Sequence, residues 1–392
     1  MKKPLQGQHY KMAAIIAKGW AYEEEGKRGR LKSVCQFNTE KLFEYTTNEK
    51  KQSGKNLFDA MKDKKIRDLK IEKCIAPPPK EGGGANVLAD SIFMSHLIRQ
   101  ETETILNVKD IEENFLELLE ISDNFHKDKE TIIRDENNQK IIKDYIALQH
   151  CRNPLYYRFL LDGYLSEQIK NMCDKKAQNK YEKTYPVFFK ELLFLDARRL
   201  NNFIDFANNE IIKVYHSFRE SLENLTLAIY SDPSNKRINN YLGDMSCFNF
   251  NFDRFGMNTI DTQEITDYQN NKEMLDNCVY TVATSTSCII AVSNKYFKNE
   301  EDLNEKLKTV IFPIIEKGFH NNIVFLYSKY VICSPLRKDI MLEDMKNFFD
   351  LNYKNNENFL QKFIEYREEE IGYLDGLEFL LKELKKKEKN YQ

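Results

Sequence analysis

The chain has 392 residues, enough for one large domain or two smaller ones, and a net charge of −2 with 31% of its residues charged. Because both signs of charge are abundant, binding of nucleic acid through the overall charge of the protein is disfavoured. A local basic groove is still compatible with this balance. The eight cysteines include no Cys-x-x-Cys pair, which is typical of a reduced cytosolic protein. With no apolar signal segment and no apolar run of membrane-spanning length, we expect a cytoplasmic protein without a membrane partner.

The first quarter of the chain predicts a small amount of structure followed by a loop. Residues 9–20 predict a helix or a strand-to-helix entry. Residues 30–37 and 41–46 flank a turn-like Asn-Thr-Glu and predict a β-hairpin. Residues 47–89 are rich in lysine and end in a run of three prolines and a run of three glycines, so we expect a lid or loop there.

Helical periodicity dominates from about residue 87 to 225, with the predicted helical stretches at 87–106, 110–124, 138–172 and 186–222. The second stretch has a clean apolar face formed by Ile111, Phe115, Leu118 and Leu119.

The sequence pattern changes after about residue 224, where β-branched and aromatic residues alternate with other residues or form continuous runs. We expect three or more strands within LTLAIYS, YLGDMSCFNFNF and CVYTVATSTSCIIAVS, forming one sheet with the N-terminal hairpin. From residue 299 the pattern is helical again, including NNIVFLYSKYVIC, and residues 355–390 predict a long charged helix.

These elements predict an α+β fold, with a predominantly helical body packed on a small, mostly antiparallel sheet and a long C-terminal helix. We assign residues 1–335 to a single α+β domain and residues 336–392 to a helical C-terminal extension.

The most informative stretch is IIKDYIALQHCRNP, residues 141–154, which places polar groups on a face that should be apolar. Ile142, Tyr145 and Ile146 define an inward stripe, which continues to Gln149 and Arg152 one to two turns later. A buried amide and guanidinium are costly unless partnered. The pair is therefore either a structural hydrogen-bond hub or a site that receives an anion.

Strong catalytic signatures are missing from the sequence: it has no P-loop, no G-x-G-x-x-G, no G-x-S-x-G and no histidines at metal-ligand spacing. An ATPase or an α/β-hydrolase is therefore disfavoured. Two weaker features remain. The triplet Gln8-His9-Tyr10 offers a histidine that could act as a general base, but an ordinary histidine is the commoner explanation. Asp244 follows Gly243 in a strand-like segment, where a turn residue is again the commoner explanation.

Several of these residues together resemble the bacterial domain-of-unknown-function family numbered four-two-three-eight. The segments that carry the resemblance are Gln8-His9-Tyr10 with Ile16 and Trp20, Gly29-Arg30-Leu31, Glu101, Ala147-Leu148-Gln149 with Arg152 and Pro154, residues 239–249, and Asn304. The chain departs from the family where Met12 replaces a proline and where Ser-Asp-Asn-Pro is reduced to Gly243-Asp244-Met245-Ser246. The resemblance implies a place among single-gene anti-phage defence proteins.

Two functional hypotheses follow from these residues and that context. In the first, the protein is a toxic nuclease-like effector that acts on nucleic acid, with RNA as the favoured substrate. Its catalytic residues would be His9, Glu101, Gln149, Arg152 and Asp244, and its substrate-binding residues would be Gln8, Tyr10 and Asn153. A metal-independent version uses His9 as base and Arg152 to stabilise phosphate charge, whereas a metal-dependent version places Mg²⁺ on Glu101 and Asp244. In the second, the protein is a non-catalytic sensor that recognises a phage-derived trigger through the lid and the C-terminal helix.

Overall fold

In the computed structural model, the residues described are 13–26, 29–38, 67–70, 100–122, 125, 129–152, 197–234, 237, 239–243, 247–250, 268–328 and 330–355. The fold class is α+β, as the sequence predicts: helices make up most of this part of the chain, and its strands pair in antiparallel fashion. The predicted C-terminal helix 355–390 lies outside the described residues apart from its first residue.

Ten α-helices and nine strands are present within the described residues. The helices are α1 (Ala13–Trp20), α2 (Gln100–Leu106), α3 (Val108–Ile121), α4 (Glu136–Cys151), α5 (Ala197–Ser221), α6 (Lys272–Asp276), α7 (Glu300–Lys306), α8 (Phe312–Glu316), α9 (Phe319–Tyr327) and α10 (Lys338–Asn355). The strands are β1 (Tyr22–Gly26), β2 (Gly29–Asn38), β3 (Arg67–Lys70), β4 (Lys129–Ile132), β5 (Leu225–Ser231), β6 (Cys247–Asn249), β7 (Val279–Thr284), β8 (Ser287–Ser293) and β9 (Tyr330–Cys333).

A five-stranded antiparallel sheet in the order β4-β5-β8-β7-β6 lies at the centre and is covered on both faces. In β5, Leu227 and Ile229 pack against α3, α4 and α5, whereas Ala228 and Tyr230 pack into the core on the other face. Because successive side chains of a strand point to opposite faces, the near-continuous apolar runs of β5, β7 and β8 follow from this double burial.

The helical layer on one face is built by stripes of apolar residues at helical spacing. Phe115 of α3 stacks on Tyr145 of α4 with ring centroids 3.6 Å apart, and both side chains are buried. α4 begins at Asp135, whose side chain accepts a hydrogen bond of 2.8 Å from the backbone N–H of Asn138. α3 and α4 thus begin and pack where their sequence pattern predicts.

The layer on the other face combines the helices α7 to α10 with a second, smaller sheet. In this sheet β2 pairs antiparallel with β1, β3 and β9. The backbone of Leu242 exchanges hydrogen bonds of 2.9 and 2.7 Å with Ile332 of β9. Helix α9 is buried along its whole length, including the polar residues His320, Asn321 and Asn322 near its start.

Four sequence expectations are corrected by these elements. The N-terminal strands form a separate sheet with β9 rather than completing the central sheet. NNIVFLYSKYVIC is not one helix, because α9 ends at Tyr327 and β9 follows it. The stretch predicted to be almost entirely helical contains β4, and the predicted lid contains β3. Short strands of mixed polarity carry no clear alternation, so their partners rather than their own sequence decide their structure.

Candidate functional site

The structure describes three of the eight predicted site residues: Glu101, Gln149 and Arg152. Glu101 lies exposed in the first turn of α2, where a carboxylate is favourable for the helix dipole. The other five, Gln8, His9, Tyr10, Asn153 and Asp244, lie outside the described residues, so their convergence on one cleft stays a prediction.

Gln149 and Arg152 lie at the end of α4 and face inward, as the sequence predicts. Their relative exposures are 0% and 2%. The Arg152 guanidinium donates a hydrogen bond of 2.6 Å to Oε1 of Glu112 in α3, whose side chain is only 11% exposed. Of the two alternatives left open by the sequence, this geometry matches the structural hub, because the guanidinium already has a buried carboxylate partner.

Glu112 was missed by the sequence analysis, although its signal was present. It lies three residues before Phe115 and seven before Leu119, so it belongs to the inward face of α3. A carboxylate on that face, opposite an arginine on the inward face of α4, predicts the pair that the structure contains.

Further ion pairs join α4 to α5 beside this hub. Lys143, with a side chain only 5% exposed, lies 3.0 Å from Glu223, and Arg219 pairs with both Asp144 and Glu223. Arg219 and Lys143 lower the pKa of Glu223 by hydrogen bonding to its carboxylate. These ion pairs join α4 to α5 and to the turn that follows it.

A different group of polar residues lines a cleft on the opposite side of the central sheet. This cleft, called the polar cleft below, lies between the segment before Leu242, the start of α9 and the first half of α10, and has a volume of about 370 Å³. Its lining side chains include Arg237, Asn239, Asn240, Glu316, Lys317, His320, Asn321, Asn322, Arg337, Asp344 and Asn347. Ile315, Ile340 and Phe348 supply apolar wall.

Two buried asparagines hold the segment that forms one wall of the cleft. Asn240 donates to the carbonyls of Thr284 and Ser287 at 3.3 and 3.2 Å, and its own carbonyl accepts from the Trp20 indole at 2.9 Å. Asn321 of α9 accepts from the backbone N–H of Tyr241 at 3.0 Å and donates to the carbonyl of Asn239 at 2.8 Å. Both amides act as substitutes for backbone partners, so they fix the wall rather than await a ligand.

Asp232 completes this local structure. It is fully buried, and its carboxylate accepts hydrogen bonds from the Ser234 hydroxyl and from the backbone N–H of Arg237 at 2.5 Å. Such a carboxylate closes a turn by satisfying nearby N–H groups. The turn brings Arg237 to the cleft.

The two carboxylates of the polar cleft each accept a hydrogen bond from a tyrosine. Tyr241 donates to Asp344, and Tyr230 donates to Glu316. Burial raises the pKa of Tyr241 and Tyr230, and it also raises the pKa of Asp344 above its ordinary value. These carboxylates are therefore engaged from within the protein.

The cationic side chains of the cleft are partly exposed. Three cations (Arg237, Lys317 and Arg337) face two acids, so the charged side chains sum to +1. Arg237 is 40% exposed, lies 3.8 Å from Glu316 and sits over the Tyr230 ring at 5.3 Å. Arg337 makes no direct ion pair with another described residue, and its charge acts on Asp344. The cleft can therefore hold an anion against partly exposed guanidinium groups.

No group of three His, Cys, Asp or Glu side chains within the described residues could hold a metal ion. The predicted Mg²⁺ site on Glu101 and Asp244 stays a prediction, because Asp244 lies outside them. The same part of the chain contains no helix with both the length and the apolar character needed to cross a membrane.

Comparison with known proteins adds no relative. No protein-family model matches this chain, and no curated protein and no solved structure is significantly similar to it. The resemblance to the family numbered four-two-three-eight therefore stays a prediction that rests on the short motifs alone.

Proposed function

We propose that the protein binds a phosphate-bearing ligand of about nucleotide size in the polar cleft. The observation that carries this proposal is the cleft of about 370 Å³ in which Arg237, Lys317 and Arg337 converge beside apolar wall. Ligand sites are concave, partly apolar and supplied with a few placed polar groups, in volumes of roughly 300–1,000 Å³.

A phosphate group suits this cleft better than a cation or a neutral polar molecule. The charged lining sums to +1, and the two acids already accept hydrogen bonds from Tyr230 and Tyr241. Guanidinium groups present a planar fork of donors that matches phosphate oxygens. Arg337, which has no direct ion pair among the described residues, is the best-placed anchor.

The biological role is a second proposal, and it rests on the sequence resemblance. We propose that the protein acts in anti-phage defence as a nuclease-like effector on nucleic acid, with RNA favoured, and that the polar cleft holds a phosphate of that substrate. The observation that favours the alternative, a sensor without catalysis, is that both cleft carboxylates are engaged by tyrosines. In the first role the polar cleft holds a phosphate of the substrate, whereas in the second the lid and the C-terminal helix recognise a phage-derived trigger.

Calorimetric titration of the purified full chain with inorganic phosphate, uridine 5′-monophosphate and a short single-stranded RNA tests the binding proposal. The wild type should bind at least one of these probes. Arg337→Ala should weaken that binding about 10- to 100-fold, because a hydrogen bond to a charged group contributes roughly 1.5–3 kcal/mol.

Arg134→Ala is the matched control for this titration. Arg134 is 75% exposed, lies outside the cleft and pairs with Glu300 at the surface, so its loss should leave binding unchanged. Failure of the wild type to bind any of the three probes, or equal weakening by both variants, would count against the proposal.

Induced expression of the wild type beside Arg337→Ala, with total RNA and DNA resolved on gels, separates the two roles. Fragments of RNA in the wild type alone would support the nuclease-like effector. Intact nucleic acid under conditions where the wild type is toxic or protective would favour the sensor. The calorimetric result does not depend on this outcome.

A further inference from the structure

A groove runs between α3 and α4 on the outer surface of the helical layer, away from the polar cleft. Its volume is about 340 Å³. One wall is formed by Asn107, Asp110, Asn114, Glu117 and Ile121, and the other by Asn137, Asn138, Lys140, Ile141 and Asp144. Because these residues recur every three or four positions, each wall is one face of a helix, and the groove can receive a third helix.

The floor of this groove is apolar. Ile111 and Leu118 of α3 form it together with Ile141 of α4. Ile121, at the end of α3, is 73% exposed although it borders this floor. An occupant with an apolar stripe would remove this surface from water.

The α3 wall of the groove is acidic. Asp110 and Glu117 have no ion-pair partner among the described residues, whereas Asp144 on the other wall is already paired with Arg219. Lys140 is the one basic side chain among the described residues of the lining. The occupant should therefore carry positive charge beside its apolar stripe.

We propose that this groove is occupied by the C-terminal segment of the same chain, residues 377–389. Leu377, Leu381 and Leu384 recur at helical spacing, with Leu380 beside them, and so predict an apolar stripe of about two turns. In a helical projection Lys385 and Lys387 lie on either side of this stripe. The stripe matches the floor, and the flanking lysines match Asp110 and Glu117.

The dimensions allow this contact. From Asp110 to Ile121 the α3 wall is about 16 Å long, and a helix from Leu377 to Leu384 is about 10 Å long. The chain between Asn355, where the described part of α10 ends, and Leu377 can span up to ~70 Å when extended. The contact therefore requires the predicted helix 355–390 to be interrupted between Asn355 and Leu377, so that the segment folds back onto the helical layer.

Zero-length carbodiimide cross-linking of the full chain, with peptide mapping by mass spectrometry, tests this contact directly. The reagent joins a lysine amine to a carboxylate that already touches it. We expect a link from Lys385 or Lys387 to Asp110 or Glu117, and a mixture of isotopically light and heavy protein should show that the link lies within one chain.

Two charge-reversed double variants make the test specific. Lys385→Glu with Lys387→Glu should lose the link, whereas Lys382→Glu with Lys389→Glu should keep it, because Lys382 and Lys389 project away from the leucine stripe. Adding Asp110→Lys and Glu117→Lys to the first variant should restore a link with the charges exchanged. Absence of the wild-type link, links between different chains, or equal loss in both double variants would overturn the proposal.

Discussion

The hub at the end of α4 and the polar cleft contain similar residue types, yet the two regions differ in what their charges can do. Arg152 in the hub is 2% exposed and donates to a carboxylate that is itself nearly buried. Arg237 in the cleft is 40% exposed and lies 3.8 Å from the Glu316 carboxylate. An arginine that is buried and already paired stabilises a fold, whereas one that is half-open remains able to meet a ligand.

The largest expected effect comes from breaking the hub. Arg152→Ala leaves the Glu112 carboxylate buried without its partner, which should cost about 3–5 kcal/mol in free energy of unfolding. Urea unfolding followed by circular dichroism measures this loss. The double variant Arg152→Met with Glu112→Leu should recover most of it, since an apolar pair leaves no buried charge. A stable Arg152→Ala protein would contradict the structural role.

A pH-dependent prediction tests the same helical layer. Burial lowers the pKa of His150, which stacks on Phe218, from 6.5 to about 4. The unfolded chain therefore takes up a proton at higher pH than the folded chain. The contribution of neutral His150 to the free energy of unfolding is therefore fully present above about pH 6.5. It decreases by roughly 1–3 kcal/mol as the pH falls toward about 4.

His150→Phe should keep the stacking on Phe218 and flatten this part of the stability profile. The measurement is the free energy of unfolding at several pH values between about 7 and 4.5. His216→Phe, at an exposed position of α5, is the matched control and should keep the wild-type slope. Equal slopes in the wild type and His150→Phe would show that His150 is accessible to protons in the folded protein.

The packing beside the polar cleft can be tested at Gly243. A Cβ atom there would overlap Oγ of Ser328 and come within 2.8 Å of Cγ1 of Val324, so Gly243→Ala should destabilise the protein by about 1–3 kcal/mol. Gly318→Ala provides a comparison without a clash: its Cβ would meet open space, but φ is +79°, so we expect a cost of about 1 kcal/mol. Thermal unfolding of both variants would rank their losses of stability. If Gly243→Ala had the stability of the wild type, α9 would be able to shift away from the added Cβ atom.

The smallest effect on stability is expected for Arg337→Ala. Because Arg337 has no direct ion pair among the described residues, its removal should change the free energy of unfolding by no more than about 0.5 kcal/mol. The same variant should show the loss of phosphate binding proposed above. If Arg337→Ala lost stability but kept its affinity for phosphate, Arg337 would have a structural role like that of Arg152 and would not belong to the ligand site.

The helices of the helical layer were largely predictable from sequence, because the spacing of apolar residues within each segment is enough to indicate a helix and its buried face. The stripe Ile111, Phe115, Leu118 and Leu119 gives α3, and the inward position of Gln149 and Arg152 follows from the spacing of α4. The inward position of Glu112 could have been found by the same rule. What spacing could not supply was the identity of the partner helix.

The polar cleft was not predictable, because it is assembled from segments far apart in the chain. Arg237, Lys317 and Arg337 belong to three separate elements, and no short motif contains more than one of them. Asp232 is similar: only the fold shows that its carboxylate is buried and accepts a hydrogen bond from the backbone N–H of Arg237. Long-range pairing also explains why β1, β3 and β9 were missed.

The most direct test of this account is a titration of the wild type, Arg337→Ala and Glu112→Gln with uridine 5′-monophosphate and short single-stranded RNA, alongside the stability of each protein. The account predicts that Glu112→Gln loses stability but binds with wild-type affinity, whereas Arg337→Ala keeps stability and loses affinity. Folded Glu112→Gln protein that no longer binds, beside Arg337→Ala that binds normally, would contradict it and return the ligand site to the end of α4.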